Sequence, residues 1–183
     1  MSRDSVRSPR IPSFARSSEY LTDAYLFARE AHATGTTRIE HPAAVAELLS
    51  DAGYPEHVVA TALLHDVVED SPSKAGELAT RFGPAVARLV AQLTEDPAIP
   101  SFQERKRELR RRAAGDGPTT AAIFTADKLA SVRALNASGG VPDPQKLDHY
   151  MRTVNVVRRT HPEVPFLVEL EDEVARLRDR VGV

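Results

Sequence analysis

The stretch ALLHDVVED, from Ala62 to Asp70, decides the predicted fold and chemistry of this chain. On a helix with about 100° per residue, His65, Asp66, Glu69 and Asp70 fall within one sector of roughly 140°. The large apolar side chains of the stretch lie on the other side: Leu64, Val67 and Val68. One face can therefore pack in a core while the other presents an imidazole and three carboxylates. Because clustered carboxylates repel one another, a bound divalent cation is the simplest explanation for the pattern.

Two adjacent side chains cannot fill a coordination sphere, so further ligands must come from elsewhere in the chain. His41 precedes Pro42 at a predicted helix start, where its side chain can turn inward. Asp127 lies within IFTADKLASVR (Ile123–Arg133), an apolar helix in which an unpaired carboxylate would be costly. Both residues are therefore candidates for the remaining ligands.

Each of these two residues also has a plainer interpretation, since His41 could cap a helix and Asp127 could pair with Lys128 or Arg133. The combination is nevertheless hard to obtain by chance and predicts a metal site with four protein ligands: His41, His65, Asp66 and Asp127. Such a mixed nitrogen and oxygen set favours Mn, Fe, Zn or another divalent ion over Ca.

Helical apolar spacing runs through the whole chain, and proline marks most of the predicted helix starts. The pattern predicts nine helices: Ser18–Ala33, Pro42–Ala52, Pro55–Asp70, Pro72–Phe82, Pro84–Thr94, Phe102–Ala114, Pro118–Leu135, Pro144–Thr160 and Pro165–Arg180. No segment shows the alternation and hairpin spacing of paired strands. We therefore predict an all-α fold, a compact single-domain helical bundle over residues 18–183, preceded by a flexible N-terminal tail over residues 1–17.

Composition excludes several function classes. The 183 residues suffice for one domain, and a net charge of -2 gives no global field for nucleic acid. The absence of cysteine rules out disulfides and thiolate ligands, and a reducing cytoplasm is the expected compartment. There is no apolar run of about 20 residues and no signal peptide, so no membrane partner is expected.

The basic run ERKRELRRR (Glu104–Arg112) has two interpretations. Most of its charges are expected to form a solvated helix face. Arg105 and Lys106 are the expected exceptions, at a rim that attracts phosphate groups.

At these residues the chain resembles the HD-domain phosphohydrolases, specifically the hydrolase domain of RelA/SpoT proteins and the small alarmone hydrolases. The matching pieces, in order over about Tyr20 to Leu177, are HPAAVAELL (His41–Leu49), ALLHDVVED (Ala62–Asp70), FGPAVARLVAQLT (Phe82–Thr94), ERK (Glu104–Lys106) and ADKLASVR (Ala126–Arg133). The Glu-Asp pair that follows the His-Asp pair is the most specific of these, because that family uses it on guanosine tetra- and pentaphosphate.

The resemblance implies a helical HD-type fold and a mechanism. It implies that the four ligands hold one divalent ion, most commonly Mn²⁺, which lowers the pKa of a bound water and contacts the leaving diphosphate. Glu69 and Asp70 would position or deprotonate the attacking species. The 3′-diphosphate would leave as pyrophosphate, giving GDP or GTP. Tyr150 in LDHYMRTVN matches a tyrosine that the family places near the nucleotide. Apart from the resemblance, we hypothesise that Lys128 and the rim at Arg105 and Lys106 hold that diphosphate.

The chain departs from the family where the substrate base is expected to bind. The loop before His41 is only ATGTTRIE (Ala33–Glu40), in which Arg38 is the one basic residue, and Ser131 stands where the family commonly has Asn. With Arg38 and Ser131 as the contacts, we predict hydrolysis of nucleoside 3′-diphosphates with relaxed base preference. Two alternatives stay open, namely an HD phosphohydrolase for another nucleotide (an adenine alarmone or a deoxynucleotide monophosphate) and a non-catalytic nucleotide or metal sensor. The sequence leaves the oligomeric state open.

Overall fold

The computed structural model describes residues 11–33, 37–71 and 75–182, and within these it contains helices and no strands. A short 3₁₀ helix, Phe14–Ser17, precedes the α-helices. These are α1 (Glu19–His32), α2 (Glu40–Asp51), α3 (Glu56–Leu64), α4 (Val67–Asp70), α5 (Ala75–Phe82), α6 (Pro84–Leu93), α7 (Phe102–Gly115), α8 (Pro118–Ser138), α9 (Pro144–Thr160) and α10 (Leu167–Val181). The predicted all-α class is confirmed, and none of the described helices is both long and apolar enough to cross a membrane.

The central element is α8, which contacts α2, α3, α6, α7, α9 and α10. Every residue from Thr120 to Ala130 is buried, so this helix is surrounded by others rather than lying at the surface. Pro118 stands in its first turn, as predicted, and Gly139 ends it with a left-handed backbone (φ 68°) that suits glycine. A carboxylate on the middle of α8 is therefore forced into the interior.

The stretch predicted as one helix, Pro55–Asp70, is two helices in the structure, α3 and α4. The interruption has a local cause at His65. Its Nδ1–H donates to the carbonyl oxygen of Ala62 at 2.7 Å, and in a continuous helix that oxygen would accept from the N–H of Asp66. The backbone N–H groups of Glu69 and Asp70 both donate to the Asp66 carbonyl at 3.1 Å. Glu69 and Asp70 consequently belong to a separate turn and need not share a face with His65.

The predicted tail, residues 1–17, falls partly outside the described residues, since residues 1–10 are not described. Its last part is packed rather than extended into solvent. Phe14 and Ala15 are buried in the hydrophobic core, and the Thr22 hydroxyl donates to the Ala15 carbonyl at 2.7 Å. The packed region thus begins at least four residues before the predicted boundary at Ser18, because Phe14 supplies apolar surface that α1 covers.

Candidate metal centre and substrate cleft

Three side chains from three different helical segments converge at one point. They are His41 in the first turn of α2, His65 at the end of α3, and Asp127 in the middle of α8. One ligand atom from each lies within 4.8 Å of the other two. His41 Nε2 is 3.1 Å from Asp127 Oδ1, and His65 Nε2 is 4.0 Å from that same oxygen. Two imidazole nitrogens and a carboxylate at this spacing fit a divalent transition-metal ion.

The orientation of His65 supports this assignment. Its Nδ1–H is held by the Ala62 carbonyl, so the neutral ring presents Nε2 as a lone pair toward the cluster. That nitrogen is buried and makes no hydrogen bond among the described residues. An imidazole whose far nitrogen is fixed by a backbone carbonyl is the usual arrangement of a metal-binding histidine.

Asp66 lies beside the three converging side chains, with Oδ1 3.2 Å from His65 Nε2. The structure therefore brings all four residues predicted as ligands to one place. The carboxylates of Asp66 and Asp127 also act on His65. Burial by itself would lower the pKa of His65, but these two charges outweigh it and raise the pKa above the ordinary value.

Asp127 is stabilised as a carboxylate despite its burial. Burial tends to raise its pKa, but the ammonium of Lys128, the hydrogen bond from His41 and the nearby His65 hold the pKa well below the usual value. Lys128 Nζ is paired with Asp127 Oδ2 and lies 4.9 Å from the centre of the Phe124 ring. Burial alone would lower the pKa of Lys128, but the negative charge of Asp127 outweighs this effect, so the pKa of the ammonium is raised. Both groups are therefore ionised at neutral pH.

The cluster opens into a cleft of about 820 Å³, which we call the substrate cleft. Besides the four ligand candidates, five residues predicted to contact substrate or serve catalysis line it: Glu69, Lys106, Lys128, Ser131 and Tyr150. Burial raises the pKa of Tyr150 to about 12, so its hydroxyl stays protonated at neutral pH. It can form hydrogen bonds with a ligand but does not carry a negative charge. The group of His41, His65 and Asp127, which we call the metal-type cluster, thus lines the same cavity as several lysines.

The sequence did not predict three titratable residues of this cleft, namely Glu95, Lys146 and His149. Lys146 lies four residues before Tyr150 on α9, so helical spacing from Tyr150 was an available signal for it. His149 directly precedes Tyr150 and had no such signal. Burial, with the nearby charges of Lys128 and Lys106, lowers the pKa of Lys146. Glu95 follows the end of α6 and no local sequence signal marked it.

Glu69 is held at the cleft by the start of the segment after α6. Its Oε1 accepts a hydrogen bond from the backbone N–H of Glu95 at 2.7 Å. The walls of the cleft partly desolvate the carboxyl, and Asp66 and Glu95 add negative charge, so the pKa of Glu69 is raised. A carboxyl with a raised pKa is suited to exchanging a proton near neutral pH.

Asp70, predicted to share the catalytic role of Glu69, does not line the cleft. Its Oδ2 is 2.8 Å from His32 Nδ1 and accepts the Thr37 N–H at 3.0 Å. The side chains of His32 and Asp70 are 1% and 6% exposed, so this contact is interior. The reason is the break between α3 and α4, which turns Asp70 toward α1 while Glu69 faces the cleft.

Two predicted substrate contacts are also placed elsewhere. The side chain of Arg38 is 85% exposed, pairs weakly with Glu40 at 3.5 Å and does not line the cleft. Arg105 is engaged by the protein itself, because its Nε donates to Glu95 at 2.5 Å and its Nη1 donates to the carbonyls of Ile99 and Pro100. Arginine side chains form hydrogen bonds with nearby carboxylates and carbonyls, and the described partners of Arg38 and Arg105 are groups of the protein itself.

Comparison with known proteins agrees with this geometry. The family model described as HD domain matches residues 18–155. A mouse protein named guanosine-3′,5′-bis(diphosphate) 3′-pyrophosphohydrolase MESH1 is 41% identical over 104 residues, which are 56% of this chain and 58% of that protein. The zebrafish (Danio rerio) protein of the same name is 36% identical over 129 residues, or 66% of this chain and 71% of that protein. The alignment thus spans just over half the length of the mouse relative.

A solved structure gives the same answer for the fold. It is described as "A metazoan ortholog of SpoT hydrolyzes ppGpp and plays a role in starvation responses" and superposes with a TM-score of 0.72 at 27% identity. The match covers 92% of this chain and 98% of the other. Together with the matched residues 18–155, these similarities mean that the chain belongs to the HD-domain family.

Proposed function

We propose that this protein hydrolyses the 3′-diphosphate of guanosine tetra- and pentaphosphate, releasing pyrophosphate and leaving GDP or GTP. The observation that carries the proposal is the convergence of His41, His65 and Asp127 at the wall of a cleft that also holds three lysines. Relatives that share the family bear the name of this activity, which supports the same reaction class here.

His41, His65, Asp66 and Asp127 would hold one divalent ion, for which we propose Mn²⁺. The buried Nε2 of His65, which makes no hydrogen bond among the described residues, and the ionised carboxylate of Asp127 fit such an ion. When bound, it supplies Lewis acidity and makes a water more acidic. No thiolate competes for the ion, because the sequence contains no cysteine.

The lysines of the cleft account for the charge of the substrate. Lys106, Lys128 and Lys146 line the same cavity and can neutralise the phosphate oxygens that gain charge as the bond to the 3′-oxygen breaks. Lys128 is held next to the metal-type cluster by Asp127, and Lys106 is paired with Glu95. We assign the scissile diphosphate to Lys128 and Lys106 on this basis.

Glu69 is assigned the proton of the attacking water. Its Oε1 accepts a hydrogen bond from the Glu95 N–H, and Oε2 is the atom we assign to take that proton. The 3′-oxygen that leaves takes a proton from solvent in the open cleft, so that the product carries a 3′-hydroxyl. The raised pKa of Glu69 brings proton exchange closer to neutral pH than for an ordinary carboxylate. Asp70 is assigned a positioning role instead, because it ties Thr37, four residues before His41, to α1 and α4.

Base recognition is proposed to be relaxed. Arg38 lies outside the cleft, and Ser131 is the short polar group that remains on α8 one turn after Asp127. Discrimination between bases requires complementary buried groups, and among the described residues of the loop before His41 and of α8 we assign only Ser131 to this role. We therefore expect similar kcat/KM values for guanosine and adenosine 3′,5′-bis(diphosphates).

A substrate panel with Mn²⁺ tests the proposal. It should contain guanosine and adenosine 3′,5′-bis(diphosphates), nucleoside triphosphates and deoxynucleotide monophosphates. Pyrophosphate release from the first two, with a guanine-to-adenine ratio near one, is the expected result. A guanine preference of about a thousandfold or more would refute relaxed base reading. Activity confined to deoxynucleotide monophosphates would establish the alternative phosphohydrolase, and no turnover with metal bound would indicate a sensor.

A further inference from the structure

A second groove, of about 340 Å³, lies between α7 and α9 next to the substrate cleft. The two cavities share three lining residues: Phe102, Lys106 and His149. The α7–α9 groove is also lined by three arginines, Arg107, Arg110 and Arg152. Its basic residues outnumber its two acidic ones, and the shared residues form a common wall between the groove and the substrate cleft.

Arg110 is the unusual member of this groove, because the residue is only 7% exposed. Its Nη1 is 2.5 Å from His149 Nδ1. Among the described residues, no carboxylate oxygen lies within 4.0 Å of its guanidinium. Asp148, one of the two acidic residues that line the groove, accepts hydrogen bonds from Arg152 Nε at 2.8 and 2.6 Å.

The contact with His149 leaves the positive charge of Arg110 uncompensated. A guanidinium can only donate, so His149 Nδ1 accepts and the ring is neutral with its proton on Nε2. Burial and the charges of Lys128, Lys106 and Arg110 lower the pKa of His149 to about 2, which keeps the ring neutral. His149 Nε2 is itself buried and has no hydrogen-bond partner among the described residues.

A buried cation normally has an anionic partner, because desolvating a lone charge is costly. Burial and the like charges of Arg152 and Arg107 outweigh the attraction of Asp148 and lower the pKa of Arg110, in line with the absence of a paired carboxylate among the described residues. The orphaned Nε2–H of His149 adds a second donor at the wall shared with the substrate cleft. A phosphate group suits a groove of this kind, since it offers negative charge to Arg110 and several acceptor oxygens to the surrounding donors.

We propose that the α7–α9 groove, with Arg110 and His149, binds a second phosphate group of the nucleotide, the 5′-diphosphate that is not cleaved. The proposal rests on the proposed function, because it takes the 3′-diphosphate to lie at the metal-type cluster in the adjoining cleft. His149 then donates from the junction between the two cavities, and Arg107 and Arg152 supply charge at the open side of the groove.

The first experiment compares two substrates on the metal-loaded enzyme, guanosine 3′,5′-bis(diphosphate) and guanosine 3′-diphosphate without a 5′-phosphate. We expect the wild type to favour the first by about tenfold or more in kcat/KM, mainly through KM, as charge-assisted contacts to phosphate do. In Arg110→Gln the ratio should fall toward one. Arg111→Gln is the matched control, because Arg111 is exposed, pairs with Glu108 and does not line the groove, and it should keep the wild-type ratio.

The second experiment does not depend on hydrolysis. Calorimetric titration of metal-free protein with GDP and with guanosine should show tighter binding of GDP, and Arg110→Gln should remove most of the difference. If the enzyme hydrolyses no 3′-diphosphate but this difference depends on Arg110, the proposed function fails and the groove stands. If hydrolysis occurs and neither ratio responds to Arg110→Gln, the groove proposal is wrong. Should Arg110→Gln not fold, the exposed pair Arg107→Gln/Arg152→Gln replaces it with the same expected outcomes.

Discussion

The role of Asp70 gives the sharpest test of the structure, because its sequence context and its position point to different functions. In sequence it is paired with Glu69 as a catalytic acid, while in the structure it is an interior hydrogen-bond acceptor for His32 and Thr37. The substitution Asp70→Asn keeps the size of the side chain and removes its charge. We expect it to lower the stability of the fold.

The size of the effect follows from the contacts. Hydrogen bonds to a charged group contribute about 1.5–3 kcal/mol each. Asparagine keeps one oxygen that can accept, so the net loss should be about 2 kcal/mol. With an unfolding entropy of about 2.1 cal/mol/K per residue, the 183 residues give roughly 0.38 kcal/mol/K. The melting temperature of Asp70→Asn should therefore fall by about 5 °C.

Thermal unfolding followed by circular dichroism, together with steady-state kinetics on each variant, provides the assay. Glu69→Gln is the matched control, since Glu69 is its neighbour but faces the cleft. Glu69→Gln should leave the melting temperature within about 1 °C, because open sites contribute little to stability, and should lower kcat by about a hundredfold or more. An Asp70→Asn variant with unchanged melting temperature and a hundredfold lower kcat would show that Asp70 acts on the substrate, and would refute the positioning role.

Three further outcomes are expected. Asp127→Ala should abolish near-stoichiometric metal binding measured by elemental analysis, while the exposed Asp51→Ala should retain it; full metal content in both would mean that the site is misplaced. The pKa of His149 is about 2 in the folded protein and about 6.5 in the unfolded chain, so between these values the unfolded state binds one more proton. The free energy of unfolding should therefore fall as the pH drops below about 6.5, by up to about 1.4 kcal/mol per pH unit. The free energy of unfolding, measured with denaturant between about pH 5 and 6, should show about this slope in the wild type but not in His149→Gln. Arg38→Ala should change kcat/KM by less than about twofold, since its side chain is exposed; a tenfold loss would place Arg38 at the substrate after all.

The helical class, most helix bounds and the membership in the HD-domain family could be predicted from the residues alone. These features depend on local patterns, because apolar periodicity and proline position act within one or two turns. The sequence also selected His41, His65, Asp66 and Asp127, which the structure brings together. Asp127 was the most informative of the four, because a buried carboxylate on an apolar helix requires a cationic partner.

Which of the remaining polar residues face the substrate cleft depends on how the helices pack. Asp70 turns away from Glu69 because the His65 ring takes the Ala62 carbonyl and interrupts the helix, an effect of one side chain that periodicity does not register. Arg105 does not line the cleft, because its guanidinium donates to Glu95 and to the carbonyls of Ile99 and Pro100.

Lys146 and His149 enter the cleft for a different reason, which is the packing of α9 against α7 and α8. A helix pattern shows which residues share a face, but it does not show which neighbouring helix that face meets. The side chains of this cleft form long-range contacts between segments far apart in sequence, and the partner of each charged group was settled only when those segments packed together.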